Sequence, residues 1–353
     1  MKIALILPGT IWYAPYVRNY TRILTKNNVE HDIISWNRDG QDIKEGIQYE
    51  ENINVNNGSA GFSAYLRYVA FIKKTIRKNK YEKLIVFGPQ MTCLLSMFLV
   101  REYRGRFIID YRDLSIEQKP GLRQLFSFMT KLSYANVISS PGFKRCLPPR
   151  DYYVSHNFDV VAAKNAIGSR DLNGFGSMNN IDVLTIGGIR DFSSNVQVVQ
   201  ALANCDDFLI RFVGRGGGAA QLASYCSEHR VKNVSFTGFY QKPEEAGYVQ
   251  STTFMNIFYP RVITHDTAVS NRFYNSLIYR KPMIVTKETT QGDFAEKYNV
   301  GVALHNCHNL ADELKSFMQQ DYNAYAERCD KLLLEFLEDQ ARFEEMVREF
   351  TKS

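Results

Sequence analysis

Apolar and polar positions along the chain follow two alternating rhythms. Short apolar runs, each closed by a turn signal, stand at 2–7 (KIALIL), 31–35 (HDIIS), 83–87 (KLIVF), 107–110 (FIID), 136–139 (NVIS), 152–157 (YYVSHN), 181–186 (IDVLTI), 208–213 (FLIRFV), 234–236, 254–259 (FMNIFY), 283–285 and 300–304. Runs of this kind predict strands covered on both faces, as in parallel sheets. Between them the period lengthens to that of a helix, over 17–24, 65–79, 91–100, 122–132, 195–202, from Ser270 onward, and over 309–317, 322–337 and 342–350. Strand and helix in turn predict an α/β chain of doubly wound sheets. Residues 37–62 are polar and rich in Gly and Asn, and read as a long irregular stretch. Residues 159–180, with Gly168, Gly174 and Gly176, read as a linker. Two Rossmann-like domains are thus expected, over 1–158 and 181–337, with the last helix, about 338–353, returning to the first.

At 353 residues the chain can bury two cores. Six cysteines lie scattered without a Cys-x-x-Cys or Cys/His cluster, so neither a zinc site nor a disulfide framework is expected, and a cytoplasmic location fits. The start at Met1 lacks the pattern of a signal peptide. The longest apolar run, 91–100, is far shorter than the roughly 20 residues of a membrane span. Charge is uneven. Residues 1–150 hold 23 Lys/Arg against 12 Asp/Glu, a net +11, and the rest hold 20 against 25, a net −5. Seven basic residues between Arg67 and Lys83 face one acid, Glu82. A basic first half predicts an anionic partner. The helices near Tyr65, Met91 and Leu122 combine basic and apolar residues, as at a peripheral membrane contact on the inner face of the plasma membrane. No nucleic-acid-binding signature accompanies them.

Candidate chemistry gathers in the second half. In 269–286 (VSNRFYNSLIYRKPMIVT), Ser270 is placed to cap a helix whose first turn carries Asn271 and Arg272; Lys281-Pro282 ends that helix before a short strand. Free N–H groups, the helix dipole and a guanidinium make this an anion site, the alternative being an ordinary capped surface helix. After the strand at 181–186, Gly187-Gly188-Ile189-Arg190 allows close approach of a phosphate to the backbone, with Arg190 to grip it. The run Gly214–Gly218 matches no phosphate-binding loop and reads as a flexible turn. In the first half, Asp113 follows the strand at 107–110, either as a functional carboxylate or as a member of an Asp–Arg pair or a helix cap. His156 is either a site residue or a structural histidine. Trp12, Tyr13 and Tyr16 follow the first strand and are placed either to stack on a ligand ring or to pack in the core.

Ser270, Asn271, Arg272, Tyr274, Asn275, Leu277, Lys281, Pro282, Met283 and Ile284 together resemble the donor-binding segment of GT-B glycosyltransferases, in particular family-4-like enzymes of bacterial surface polysaccharide synthesis. The family's ribose-holding carboxylate is Asn275 here, its usual glycine is Arg280, and the first glutamate of its paired E-x7-E motif falls at Thr267. The resemblance implies two Rossmann-like domains facing across a cleft. It implies transfer of a sugar from a UDP- or GDP-linked donor to a glycan or lipid-linked acceptor, with retention and with neither metal nor cofactor. Gly188, Arg190, Phe239, Tyr240, His265, Asp266, Ser270, Asn271, Arg272 and Asn275 would meet the donor, with Arg190 and Arg272 on the diphosphate. Tyr13, Asp113 and His156 would face the acceptor. A catalytically degenerate protein of the same fold, and a sugar-nucleotide 2-epimerase, are the alternatives.

Overall fold

The computed structural model describes residues 1–40, 43, 45–51, 61–170 and 174–353. The stretches expected as irregular (37–62) and as linker (159–180) therefore lie partly outside the described residues. The chain divides into two compact units, Met1–His156 with Glu338–Ser353, and Asn157–Leu337.

Unit 1 is built on an all-parallel sheet of β1 (Lys2–Ile6), β2 (Glu30–Asn37), β3 (Ile47–Glu50), β4 (Lys83–Phe87), β5 (Phe107–Tyr111), β6 (Ala135–Ile138) and β7 (Tyr153–Val154), in the order β3-β2-β1-β4-β5-β6-β7. The two-residue period of a strand divides each apolar run between two cores. Ala4, Ile6, Leu84, Val86, Phe107 and Ile109 join the cluster under helices Phe62–Asn79, Pro89–Leu94, Ser96–Glu102 and Leu122–Leu132. Ile3, Leu5, Ile85, Phe87 and Ile108 join the other, with helix Val17–Lys26 and with Phe343, Met346, Val347 and Phe350 of the last helix. The apolar helix expected over 91–100 is thus two helices, parted at Leu95. The strand expected over 152–157 is only two residues long.

Unit 2 repeats the plan with β8 (Ile181–Gly188), β9 (Phe208–Arg215), β10 (Val234–Gly238), β11 (Phe254–Ile257), β12 (Met283–Thr286) and β13 (Gly301–Leu304), all parallel, in the order β10-β9-β8-β11-β12-β13. In both sheets the order reverses once, between β1 and β4 and between β8 and β11. Open α/β sheets bind ligands at the carboxyl ends of the strands at such a point.

Within the expected linker, Val160–Ala166 is helical. Asp159 caps it by accepting from Val161 N (2.9 Å) and Ala162 N (3.0 Å), and Ala163 and Ala166 are buried in unit 2. Arg280 has a left-handed backbone (φ 55°), where glycine is the usual occupant. Its guanidinium donates to Leu277 O, Ala166 O and the Asp330 carboxylate. Asp330 also accepts from Arg170 (3.0 Å) and Gly168 N (3.2 Å). A side-chain anchor on three segments thus offsets a backbone cost of about 1 kcal/mol. The helices expected over 322–337 and 342–350 form one helix, Tyr322–Lys352, because Glu338–Ala341 contains no helix breaker.

Candidate functional site

The site in unit 2 is organised by contact between two turns. Ile189 N donates to Arg215 O and Gly218 N to Ile189 O, both at 3.0 Å, so the turn after β9 lies backbone-on-backbone against the turn after β8. A Cβ at Gly214 would fall 2.0 Å from Gly187 O, and one at Gly216 would fall 2.2 Å from Ile189 O. Gly214 and Gly216, in the run read as a flexible turn, are therefore there for close approach, and helix Gly217–Glu228 starts directly after them. Packed in this way, the β8 turn carries Arg190 outward. Arg190 is exposed and has no side-chain hydrogen bond or ion pair among the described residues. Asp191 next to it caps helix Phe192–Leu202 by accepting from Ser194 N at 2.7 Å. Partial burial raises the Asp191 pKa, but the Ser194 and Ser193 hydrogen bonds and nearby His265 bring it below the ordinary value.

Arg272, on helix Asn271–Ile278, lies largely buried beneath the same turn. Its Nε donates to Ile186 O and its Nη2 to Gly188 O (2.9 Å), and its guanidinium is 5.7 Å from the centre of the Tyr259 ring. No acidic side chain pairs with it among the described residues, so its charge is held at the end of β8 without a counter-ion. Ser270 does not cap this helix as the sequence suggested. Its hydroxyl and its N–H both donate to Gln291 Oε1 (2.8 and 3.0 Å), an acceptor supplied by the first turn of helix Thr290–Tyr298. Asn271 accepts from Asn157 Nδ2 at 3.0 Å. His265 lies against Tyr259, 5.1 Å between ring centres, with Nδ1 3.2 Å from Pro260 O. Asp266 is paired with Arg261 at 2.9 Å, and Thr267 Oγ1 donates to Ile263 O at 2.8 Å.

Glu245 is the residue that sequence reasoning missed. Asn275 Nδ2 donates to Glu245 Oε1 at 2.7 Å, Lys242 Nζ to the same oxygen at 2.7 Å, and Tyr240 Oη to Oε2 at 2.7 Å. Burial pushes the Glu245 pKa up, but these donors and the Lys242 charge outweigh it and leave the pKa below the ordinary value. The pKa of Tyr240 is raised, by burial first and then by Glu245, while Arg272 opposes the shift. A Cβ at Gly187 would meet Tyr240 Oη at 3.8 Å, which brings this cluster to the β8 turn. A signal was present in Lys-Pro-Glu-Glu (242–245). Glu244 closes the turn by accepting from Gln241 N (2.6 Å), which leaves Glu245 to turn inward. Phe239 stands apart, exposed, with the Arg215 guanidinium 5.1 Å from its ring centre. Gly188, Arg190, Tyr240, Arg272 and Asn275 thus meet at one sheet end. Asp266 and Phe239 are engaged elsewhere.

In unit 1, Arg112 does not pair with Asp113. It grips Asp110 with two hydrogen bonds (2.5 and 2.8 Å), donates to Ser155 O (2.8 Å) and lies over the Tyr16 ring at 4.7 Å. Asp113 is left exposed at the surface. Crowding around its carboxyl raises its pKa above the ordinary value, and the Arg112 charge opposes this. Tyr13 is 76% exposed. His156 is fully buried, with Nε2 3.2 Å from Asp339 Oδ2; burial lowers its pKa despite that carboxylate. This places His156 in the interior. Among the described residues, no group of three or more His, Cys, Asp or Glu is placed to hold a metal ion, and no helix is long and apolar enough to cross a membrane.

No family model matches the chain, and no curated protein matches it in sequence. Solved structures do match. A glycosyltransferase from Rickettsia africae superposes with a TM-score of 0.72 at 13% identity, over 100% of this chain and 99% of its own. Sucrose-phosphate synthase from Thermosynechococcus elongatus gives 0.67 at 12% identity, over 100% of both chains. The Anabaena protein HepE, in complex with UDP and glucose, gives 0.68 at 13% identity, over 99% of this chain and 100% of its own. The chain has the GT-B fold. In its GT-B frame, the cluster of Arg190, Arg272, Tyr240, Glu245 and Asn275 occupies the switch point of the second sheet.

Proposed function

We propose that the chain is a glycosyltransferase that takes a sugar from a nucleotide diphosphate sugar and passes it to a saccharide or lipid-linked saccharide acceptor. One observation carries this reading: two guanidinium groups without carboxylate partners stand at the end of β8, Arg272 locked beneath the turn and Arg190 projecting from it. A fixed cation and an adjustable one at a sheet switch point suit a diphosphate whose charge grows as the glycosidic bond breaks. They supply the charge that a divalent cation would otherwise bring, so we read the reaction as metal-independent. Tyr240, Glu245 and Asn275 offer both acceptors and donors for ribose hydroxyls, so the carboxylate missing at position 275 enters from a neighbouring helix. HepE, in complex with UDP and glucose, supports a uridine donor. The resemblance to family 4 implies retention, with the leaving phosphate drawing the acceptor proton and Asp113 on the acceptor side.

Unit 1 would meet the acceptor. Phe62, Leu66, Met97 and Phe128 are exposed on helices that also present Arg67, Lys74, Lys78, Arg101 and Lys131. We read this face as a peripheral contact with an anionic bilayer on its cytoplasmic side, in surface polysaccharide synthesis, each basic residue contributing about 1 kcal/mol.

Calorimetric titration of the full chain with UDP, UDP-glucose and GDP tests the donor site. Saturable binding of at least one is expected, weakened roughly 10- to 100-fold in Arg190→Ala. Absence of binding by all three, or affinity unchanged in Arg190→Ala, would overturn the reading.

A further inference from the structure

We infer, resting on the donor-site reading, that Asn256 at the end of β11 is a positioning residue for the diphosphate: it fixes the turn that carries Arg190 relative to the strand ends around Arg272. Asn256 is 1% exposed, and Phe254, Met255 and Ile257 around it belong to the apolar core, so packing alone does not call for an amide here. Its Oδ1 accepts from Phe258 N at 3.1 Å, and its Nδ2 donates to Asn195 Oδ1 at 3.1 Å and to Thr185 Oγ1 at 2.9 Å. Asn195, also buried, on helix Phe192–Leu202, donates in turn from Nδ2 to Asp191 O at 2.5 Å. Asp191 is the residue after Arg190. Two buried amides thus join the end of β11 to the turn after β8.

The line has one sense only. A backbone N–H can only donate, and a backbone carbonyl can only accept. Phe258 N therefore fixes the orientation of the Asn256 amide, and Asp191 O fixes that of Asn195. The two orientations agree where the amides meet, donor to acceptor. A buried polar network satisfied in this way specifies a single arrangement. At its far end, Tyr259 follows Phe258, and its N–H and C=O both bond Thr286 Oγ1 of β12, at 3.0 and 2.7 Å. The ring of Tyr259 is the one near the Arg272 guanidinium. At its near end the turn has little room, since a Cβ at Gly218 would fall 3.1 Å from both Arg190 O and Asp191 C. The line therefore starts beside the buried cation and ends beside the exposed one. A diphosphate that spans both depends on their separation, and misplacement by about 1 Å is costly. A nucleoside without phosphate touches neither.

The test is calorimetric titration of the full chain with UDP, UMP and uridine, the weaker ligands by displacement, or with GDP, GMP and guanosine if the chain binds GDP instead. In Asn256→Asp an oxygen replaces the Nδ2 donor, so Asn195 loses its partner or turns its amide away from Asp191. Diphosphate affinity should fall roughly tenfold, monophosphate affinity less, and nucleoside affinity should not change. Asn195→Ala cuts the same line and leaves Asn256 bonded to Phe258 and Thr185. It should give the same order of losses, and it carries the test if Asn256→Asp does not fold by circular dichroism. Thr185→Val removes the branch that does not lead to Asp191. It should lower the melting temperature and leave diphosphate affinity unchanged. Equal losses for all three ligands, or a diphosphate-selective loss in Thr185→Val as well, would mark a general disturbance of the core and overturn the inference. So would diphosphate affinity unchanged in both asparagine variants. In each of these cases the wild type still binds, so the donor-site reading stands. A wild type that binds neither UDP nor GDP overturns that reading and the positioning role with it.

Discussion

Two arginines, each just beyond a strand of a parallel sheet, have opposite fates. Arg112 follows β5 in unit 1 and is buried, its guanidinium engaged by Asp110 and Ser155. Arg190 follows β8 in unit 2 and is exposed and unengaged. Their places in the sheets differ, since β8 stands at the switch point of its sheet and β5 one strand beyond that of the other. The residue two places earlier differs as well. Positions i and i+2 of an extended chain point to the same side, so Asp110-Tyr111-Arg112 closes on itself as an ion pair. In Gly188-Ile189-Arg190 the same place holds no side chain, and the cation remains available. A strand-end arginine is therefore read as structural or functional from its own strand.

The largest effect is expected from breaking the closed pair. Asp110→Ala leaves Arg112 and Tyr20 Oη in the interior without their partner, Tyr20 having donated to Asp110 at 2.7 Å. Urea unfolding should show a loss of about 3–5 kcal/mol. The converse change, Gly188→Asp, should close the open one. Its Cβ would meet only the flexible Arg190 side chain, Nε at 3.3 Å, so stability should shift by less than about 0.5 kcal/mol. Affinity for a nucleoside diphosphate should fall roughly tenfold by calorimetry, about 1.4 kcal/mol. A G188D chain that binds as before would show that strand spacing does not govern Arg190.

The smallest effect concerns Glu245, a carboxylate satisfied by three donors yet at the site. Its pKa is lowered on folding, so its contribution is present above the unfolded value and is lost as pH falls through the folded one. The stability difference between wild type and Glu245→Gln should be about 1 kcal/mol above the ordinary glutamate pKa and shrink as the pH falls below it. A difference that grows on acidification would reverse the sign assigned here.

The sheets were legible because each core strand is a closed apolar run, and the runs from 2–7 to 300–304 all fall on strands. What was missed lacked that signature. β3, Ile-Gln-Tyr-Glu, is a half-buried edge strand with alternating polarity. Val160–Ala166 was hidden in a polar stretch because its helix rests on one capping aspartate and two small buried alanines. In the site, Arg190 and Arg272 could be named because the turn chemistry around them is local. Glu245 could not, because its role depends on Asn275 and Tyr240 from other segments. Arg280 in place of glycine looked like a defect in the motif. Only the fold shows the contacts that anchor it, to Leu277, Ala166 and Asp330.

The backbone contact between the β8 and β9 turns has a consequence for how such a chain can drift. Even a methyl group at Gly214 or Gly216 is shut out by main-chain atoms, so no repacking of side chains elsewhere can readmit it. Gly217, the next residue, opens on empty space and is free to change. The two vacant Cβ sites are thus a constraint on this chain that no change of a charged or aromatic side chain can relax.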